Sequence, residues 1–249
     1  LLFIINAEQT MALTYKKAGV DISKIKQSQK AIGKLITSTH KLQKKAKIAH
    51  GFGHYAGIVE IPGGKMLATH TDGVGTKVVI ANMMKKYNTI GIDCVAMNVN
   101  DIICIGATPI SFVDYIAANK NDVPIFKKIV EGLVTGAKKS SMPIVGGETA
   151  IMPDVIEGKG FAFDLAGMVV GLVEKKELVL GNKIKSGDVI IGANSTGIHS
   201  NGYSLARKAL LNKYSIKDKV KGVGIIGDAL LKPTEIYTNP VLEMVQKCK

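Results

Sequence analysis

The hydrophobic and polar positions of the chain predict strands and helices along its length. Short apolar runs predict strands over residues 58–61, 66–71, 109–118, 143–145, 163–173 and 188–193. Segments with apolar residues at helical spacing predict helices over 22–48, as one broken helix or two, and over 89–107, 123–139 and 203–211. A charged run at 174–177 predicts a linker, and a second α/β domain begins beyond it.

The stretch Asp72-Gly73-Val74-Gly75-Thr76-Lys77 follows the predicted strand 66–71. Its two glycines let backbone N–H groups come close to an anion, and the Lys77 ammonium adds a positive charge. Asp72 offers a hard oxygen ligand for a divalent cation. The stretch therefore indicates phosphate and metal chemistry, although short Gly-Lys clusters also close ordinary β-hairpins and the Walker A spacing is absent.

Three polar residues are predicted to share one flank of the helix over 89–107. Asp93 and Asn100 are seven positions apart and so almost eclipsed, and Asp101 lies one step round. The acidic groups are candidate metal or water ligands. The alternative for Asp101 is an ordinary helix carboxylate whose hydrogen bonds are satisfied locally.

Two further segments carry candidate binding groups. Glu148 follows two glycines and precedes Thr149, which predicts a carboxylate on a tight turn; the alternative is a capping or turn residue. His199, Ser200 and Asn201 lie between a turn glycine and a predicted helix start, where free N–H groups can meet an anion. A general acid or base role for His199 competes with a helix-capping role.

The composition is that of a globular protein. With 249 residues, 46% of them hydrophobic, the chain can bury a sizeable core. No apolar stretch is long enough to cross a bilayer, and residues 1–5 are too short for a secretory signal, so we expect the chain to stay inside the cell. The three cysteines, Cys94, Cys104 and Cys248, are widely spaced, which predicts reduced thiols, with Cys94 and Cys104 in the core.

The formal charge of +13 raises the possibility of a nucleic-acid-binding module. Ten lysines lie between Lys16 and Lys47, but that segment contains no arginine and its only aromatic neighbour is Tyr15. Nucleic-acid readers usually use arginine and stacking rings. A solvated helix face beside a site for anionic substrates is the better interpretation, and we expect no nucleic acid and no membrane as partner.

Five motifs together resemble the phosphoribosylformylglycinamidine cyclo-ligase (aminoimidazole ribonucleotide synthetase) family, from about Met11 to the last residue. In chain order they are the segments 15–21, 72–77, 98–101, 146–150 and 199–205. The resemblance implies an α/β (α+β) fold with two domains: an N-terminal mixed sheet with helices on one face, and an incomplete C-terminal α/β domain. It also implies an ATP-dependent ring closure of formylglycinamidine ribonucleotide in purine synthesis, with release of ADP and phosphate.

The resemblance further implies a set of site residues. The catalytic candidates are Lys16, Asp72 and His199. The candidates for ATP are Lys16, Gly73, Gly75, Thr76, Lys77, Asn100, Gly147, Glu148 and Thr149. The candidates for the ribonucleotide substrate are Gly51, Gly53, His199, Ser200 and Asn201. The candidates for Mg²⁺ are Asp72, Asp101 and Glu148, with Asp93 as a weaker one.

The expected organisation follows from the same resemblance. Residues 1–10 match nothing and form an extension, 11–174 form an ATP-binding and dimerisation domain, and 175–249 an incomplete C-terminal domain, so the chain is interpreted as a fragment. The enzyme is expected to be a cytoplasmic homodimer. His54 replaces the small residue usual after Gly-Phe-Gly, which weakens the expected substrate contact of that loop. A truncated, non-catalytic nucleotide-binding relative is the main alternative.

Overall fold

A six-stranded mixed sheet lies at the centre of the computed structural model, which describes residues 13–42, 44–45 and 47–247. The strands are β1 (Lys47–His50), β2 (Gly57–Ile61), β3 (Lys65–Gly73), β4 (Thr108–Ala118), β5 (Ile144–Ile151) and β6 (Phe163–Glu174). Their spatial order is β1-β2-β3-β6-β4-β5, and only β4 and β5 pair in parallel. The predicted fold class, a mixed sheet with helices on one face, is confirmed.

Seven α-helices accompany the sheet in the described part of the chain. They are α1 (Ile22–Thr37), α2 (Lys77–Met84), α3 (Ile90–Ile103), α4 (Val123–Lys139), α5 (Tyr203–Leu211), α6 (Ile226–Leu230) and α7 (Thr238–Lys247). A two-stranded ribbon, β7 (Lys219–Val220) and β8 (Gly224–Ile225), precedes α6. None of these helices is long and apolar enough to pass through a bilayer.

Helices α3 and α4 cover one face of the sheet. Alternate residues of β3, β4 and β6 point toward them, among them Met66, Phe112 and Val169, each at most 1% exposed. The helix α4 connects β4 to the parallel strand β5, as a crossover between parallel neighbours requires. The main apolar core therefore lies between the sheet and these two helices.

The opposite face of the sheet carries apolar side chains that remain accessible. Tyr115 of β4 and Met168 of β6 are each 40% exposed on this face, which we call the open face. Val113 and Val170 lie on it as well, half-buried. The sheet thus separates a closed face under the helices from an open apolar face.

Two glycines allow α3 and α4 to approach each other closely. A Cβ atom at Gly91 of α3 would lie 2.2 Å from the backbone nitrogen of Leu133, and one at Gly132 of α4 would lie 2.5 Å from the Asn88 carbonyl oxygen. Neither position has room for a methyl group, because the obstructing atoms belong to the partner backbone.

Several sequence predictions differ from the structure at their ends. The helix predicted over 22–48 ends at Thr37, where the hydroxyls of Ser38 and Thr39 donate to the carbonyls of Leu35 and Ile36 and compete with the helical pattern. No helix was predicted over α2, whose short apolar run lacks a clear helical period. The extension over 1–10 lies outside the described residues.

The strand predicted over 188–193 is wrong. Val189 and Ile190 are 87% and 95% exposed, and no strand of the described residues pairs with this segment. An extended segment becomes a strand only when a neighbour completes its backbone hydrogen bonds, so local apolar composition was not sufficient. The cysteine prediction is half right: Cys94 is buried and Cys104 is exposed, while Cys248 lies outside the described residues.

The substitution Gly91→Ala should destabilise the fold by about 1–3 kcal/mol or more, because the added methyl group would push α3 away from α4. Urea unfolding followed by circular dichroism measures the change. Gly192→Ala is the matched control, since a Cβ atom there meets nothing within 4 Å. Equal free energies of unfolding for the two variants would contradict the close approach of the helices.

Candidate functional site

Asp72 is held at the end of β3 by a buried asparagine of α3. The Asp72 N–H donates to Asn98 Oδ1 at 3.0 Å, and Asn98 Nδ2 donates back to the Asp72 carbonyl at 3.1 Å. Asn98 is fully buried and also donates to the Cys94 carbonyl. The sequence analysis assigned no role to Asn98, although an amide within an apolar helical run is a signal of such a positioning residue.

Asp72 and Asp101 come together, with His70 beside them. Burial, chiefly, raises the pKa of Asp101; the His70 ring opposes that rise and the negative charge of Asp72 adds to it. His70 Nε2 lies 3.2 Å from Asp101 Oδ2, although not in a hydrogen-bonding direction. Two neighbouring carboxylates are an arrangement that suits a divalent cation.

The structure does not bring Glu148 to these two carboxylates. Glu148 of β5 pairs with Tyr115 of β4, which pairs with Ala166 of β6, and Ala166 pairs with Gly73 of β3. Three strand spacings, about 14 Å, therefore separate Glu148 from Gly73, the residue after Asp72. The predicted tight turn at 146–150 is wrong, because these residues pair with β4 and the pairing overrides the local preference of the glycines. Among the described residues, no three or more His, Cys, Asp or Glu side chains form a group that could hold a metal ion.

Asp93 and Lys77 form a buried ion pair, which corrects both of their predicted roles. Lys77 Nζ lies 2.8 Å from Asp93 Oδ1, and both side chains are fully buried. The same Asp93 oxygen accepts from the backbone N–H and the hydroxyl of Thr234, each at 2.7 Å. Asp93 Oδ1 is therefore occupied as an acceptor within the chain, whereas Asp93 Oδ2 is buried without a hydrogen-bond partner.

Asn100 is likewise occupied by backbone groups. Its Nδ2 donates to the Glu235 carbonyl at 2.8 Å, and its Oδ1 accepts from the Tyr237 N–H at 3.1 Å. The predicted ATP contact of Asn100 is not formed in this arrangement. The shared flank of Asp93 and Asn100 instead binds the segment 234–237, which joins α6 to α7.

The N-termini of α2 and α5 meet at the end of the Asp72 loop. Thr76 precedes α2, and its Oγ1 lies 3.5 Å from Oγ of Ser204 in the first turn of α5. Gly75 has a φ of +65°, a conformation that favours glycine at this bend. Two helix N-termini that converge in this way present N–H groups and partial positive charge to an anion.

The N-terminal segment lies beside this pair of helix ends. The Tyr15 hydroxyl would lie 3.1 Å from a Cβ atom on Gly202, which precedes α5, and Lys208 of α5 donates to the Lys17 carbonyl. The Lys16 side chain is 78% exposed and pairs with Asp21 at 3.4 Å. Lys16 follows Tyr15 in the chain, so this exposed side chain lies near the same helix ends.

His199 adopts a left-handed backbone with a φ of +56°. Its Nε2 accepts from the Thr196 N–H at 3.3 Å, so the imidazole closes the turn that precedes α5 and does not cap that helix, whose N-cap is Gly202. Burial first, and then the charge of Lys77, lower the pKa of His199. The neutral ring then carries its proton on Nδ1, the nitrogen that remains available to a substrate.

The neighbours of His199 have different surroundings. Ser200 is buried and its Oγ lies 3.3 Å from Thr234 Oγ1, so this hydroxyl belongs to the same network as Asp93. Asn201 is exposed, and its N–H donates to the Ile198 carbonyl. Of the three candidates, only Asn201 has an exposed side chain.

The loop between β1 and β2 lines a cavity of about 650 Å³, which His70 and Thr71 line as well. Gly51 packs against the His40 ring, where a Cβ atom would lie 2.5 Å from a ring carbon, and Gly53 has a φ of +108°. His54 stacks edge-on against His50 at 4.7 Å. His54, which replaces the small residue expected after Gly-Phe-Gly, therefore places an imidazole inside the loop, beside the two glycines.

Gly147 of β5 lies next to a carboxylate that the sequence analysis missed. A Cβ atom on Gly147 would lie 2.4 Å from Asp114 Oδ1, so the glycine makes room for this side chain. Burial raises the pKa of Asp114. The next-but-one residue, Thr149, is exposed on the same edge strand. Among the described residues, no contact connects Gly147 or Thr149 to Thr76 and Ser204 at the helix N-termini.

Two family descriptions match the chain. "AIR synthase related protein, N-terminal domain" matches residues 53–173, and "AIR synthase related protein, C-terminal domain" matches residues 185–249. A solved structure of thiamine-monophosphate kinase from Stenotrophomonas maltophilia K279a is similar, with a TM-score of 0.55 and 16% identity over 84% of this chain and 62% of that one. At this identity the likeness concerns the fold alone.

Curated relatives are far more similar in sequence. Phosphoribosylformylglycinamidine cyclo-ligase of Thermococcus kodakarensis is 46% identical over 95% of this chain and 70% of its own length. The protein of the same name from Methanosarcina barkeri is 48% identical, again over 95% of this chain and 70% of its own length. Because this identity extends over almost all of its residues, the chain belongs to the phosphoribosylformylglycinamidine cyclo-ligase family.

Proposed function

We propose that this chain carries out the ATP-dependent ring closure that converts formylglycinamidine ribonucleotide to aminoimidazole ribonucleotide. ATP transfers its γ-phosphoryl group to the formyl amide oxygen, and ADP leaves. A nitrogen of the same molecule then attacks the activated carbon, and phosphate leaves as the imidazole ring closes. The observation that carries this proposal is the close pair of carboxylates, Asp72 and Asp101, beside two converging helix N-termini in a chain of this family.

The residues of the chain fit the needs of phosphoryl transfer, which are mainly positioning and neutralisation of charge. Asp72 and Asp101 would hold Mg²⁺, a hard cation that takes one or two carboxylates and completes its shell with water and phosphate oxygens. When bound, Mg²⁺ neutralises charge on the phosphates. Thr76 and the start of α5 would bind phosphate oxygens through backbone N–H groups, and Lys16 would bring its exposed charge over them.

The substrate is proposed to lie against the turn that precedes α5. His199 would donate its Nδ1 proton to an anionic or carbonyl oxygen of the ribonucleotide, since its Nε2 is used within the turn. Asn201 offers an exposed amide at the same place. In this proposal His199 binds and orients the substrate, and ring closure needs no strong base.

The proposal includes a homodimer and a division into two domains. The open face of the sheet presents Tyr115 and Met168, and apolar surface of this kind is typical of an interface between subunits. Residues 11–174 would form the ATP-binding and dimerisation domain, and 175–249 would belong to the C-terminal domain. The cytoplasmic location and the absence of nucleic-acid binding stay predictions.

The direct test is release of ADP from ATP and Mg²⁺, with and without formylglycinamidine ribonucleotide. It is made on this chain and on the same chain extended with the C-terminal part of the Thermococcus kodakarensis relative, because this chain spans about 70% of that relative. Turnover that depends on the ribonucleotide supports the proposal. Binding of ATP by both chains without such turnover supports the alternative, a nucleotide-binding relative that does not catalyse.

Removing either carboxylate of the proposed metal pair should weaken Mg²⁺-dependent ATP binding by roughly 10- to 100-fold. Asp72→Asn and Asp101→Asn keep the size of the side chain and remove its charge, and calorimetry with a non-hydrolysable ATP analogue measures the affinity. Asp154→Asn is the control, because Asp154 is exposed in the loop after β5. Equal affinities for all three variants would contradict the metal assignment.

A charge on the open face should dissociate the proposed homodimer. Met168→Glu would place two like charges in a two-fold interface, and sedimentation velocity should then show a monomer. Met83→Glu is the control, because Met83 is similarly exposed, at 43%, on α2. If both variants sediment as the unmodified chain does, the open face is not the interface.

A further inference from the structure

We propose that Lys77 is a positioning residue whose buried ammonium fixes the His199 turn and the segment after α6 to the start of α2 and α3, and that it does not bind phosphate. Its consequence for the substrate depends on the proposed function. The anchoring itself depends only on contacts within the chain.

Every N–H donor of the Lys77 ammonium is used within the chain. An ammonium group has three hydrogens, and Lys77 Nζ has three acceptors: Asp93 Oδ1 at 2.8 Å, the His199 carbonyl at 3.0 Å and the Lys232 carbonyl at 2.7 Å. The side chain is fully buried. A phosphate oxygen could reach this ammonium only by displacing a protein acceptor.

The three acceptors of Lys77 come from three separate parts of the chain. Asp93 lies in the first turn of α3, whereas His199 and Lys232 follow Lys77 by 122 and 155 residues. Burial lowers the pKa of Lys77, and the Asp93 carboxylate opposes this by favouring the charged form. A buried charge that loses a partner is strongly destabilising, so the Lys77 ammonium keeps its three acceptors in place.

The backbone at His199 is held in an unfavourable conformation. A left-handed φ of +56° is unfavourable for a residue with a Cβ atom, and such a conformation persists where surrounding contacts hold it. The carbonyl of this residue is an acceptor of Lys77, and its ring accepts from the Thr196 N–H. Lys77 thus holds the peptide whose side chain is proposed to meet the substrate.

The charge of Lys77 acts on the same ring. After burial, Lys77 is the strongest influence that lowers the pKa of His199, while Asp93 and Glu235 raise it. Loss of the Lys77 charge should therefore raise that pKa. A residue that only filled space would leave the titration of His199 unchanged.

The first experiment uses the unmodified chain. Amine acylation followed by mass spectrometry compares Lys77 with Lys86, which is 52% exposed in an ion pair with Asp228. Lys77 should react at least about tenfold more slowly than Lys86, both with and without ATP and Mg²⁺. Reaction of Lys77 at the rate of Lys86 would overturn the proposal, because that result describes a lysine open to solvent.

The second experiment follows the His199 imidazole by NMR titration, with its signal assigned through His199→Gln. Lys77→Met should raise the His199 pKa by about half a unit or more. Lys86→Met is the matched control. Lys86 also forms an ion pair with a distant residue, Asp228, but this pair does not involve His199. The control substitution should leave the His199 titration where it is.

A third variant covers the case in which Lys77→Met does not fold. Lys77→Met combined with Asp93→Asn removes both charges at nearly constant volume, so no unpaired charge remains buried. Because Lys77 influences His199 more than Asp93 does, this variant should raise the His199 pKa by a smaller amount in the same direction. A folded variant of either kind with an unchanged His199 titration would overturn the positioning role.

Neither experiment requires turnover, so the proposal and the proposed function can fail separately. If the extended chain turns over, Lys77→Met should lower kcat while the KM for ATP stays within about twofold. A selective rise in the KM for ATP, with kcat retained, would instead identify Lys77 as a phosphate ligand and overturn the proposal.

Discussion

The buried ion pair between Lys77 and Asp93 is the interaction on which the placement of the His199 turn and of the segment after α6 against α2 and α3 depends. Taking two charges out of water is costly, and the cost is offset only when good partners fill their hydrogen-bonding positions. Lys77 meets this condition with one carboxylate and two carbonyl oxygens, and Asp93 accepts from Thr234 as well. Removing one partner from such a pair typically costs about 3–5 kcal/mol. The ammonium group thus connects the turn at His199 and the segment after α6 to α3, and Asn100 adds two hydrogen bonds to the same segment.

The proposed metal pair depends on a different, neutral anchor. Asn98 holds the backbone of Asp72 through two hydrogen bonds, so that the carboxylate stands beside Asp101 where β3 ends. A strand end followed directly by a helix start places a carboxylate and a set of free N–H groups within one short loop. Lys77 is the last residue of that loop motif, and its side chain turns away into the core. In the proposed function, the acidic end of the motif binds a cation, while Lys77 at its other end anchors the fold.

The sheet supports this site on one face and leaves the other face available. On the covered face, Gly91 and Gly132 let α3 and α4 pack with their backbones nearly in contact, which fixes the position of Asn98 and Asp101 on α3. On the open face, Tyr115 and Met168 remain accessible. Glu148 belongs to this open face and to the far edge of the sheet, so it does not join Asp72 and Asp101.

Local sequence determined the elements whose signal is short-range, together with the family. The bounds of β3, β4, β6, α4 and α5 lie within one or two residues of the predicted ones, because alternation and helical periodicity arise from neighbouring residues. The ordered motifs were sufficient to identify the family. Only the tertiary structure decided which polar groups meet: Lys77 pairs with Asp93, and Asn100 binds the backbone of Glu235 and Tyr237. Each of these partnerships joins residues that are brought together by packing, and the strand at Glu148 exists because β4 lies beside it. Residue type and spacing define what a side chain can donate or accept, whereas the packed chain decides which partner it finds.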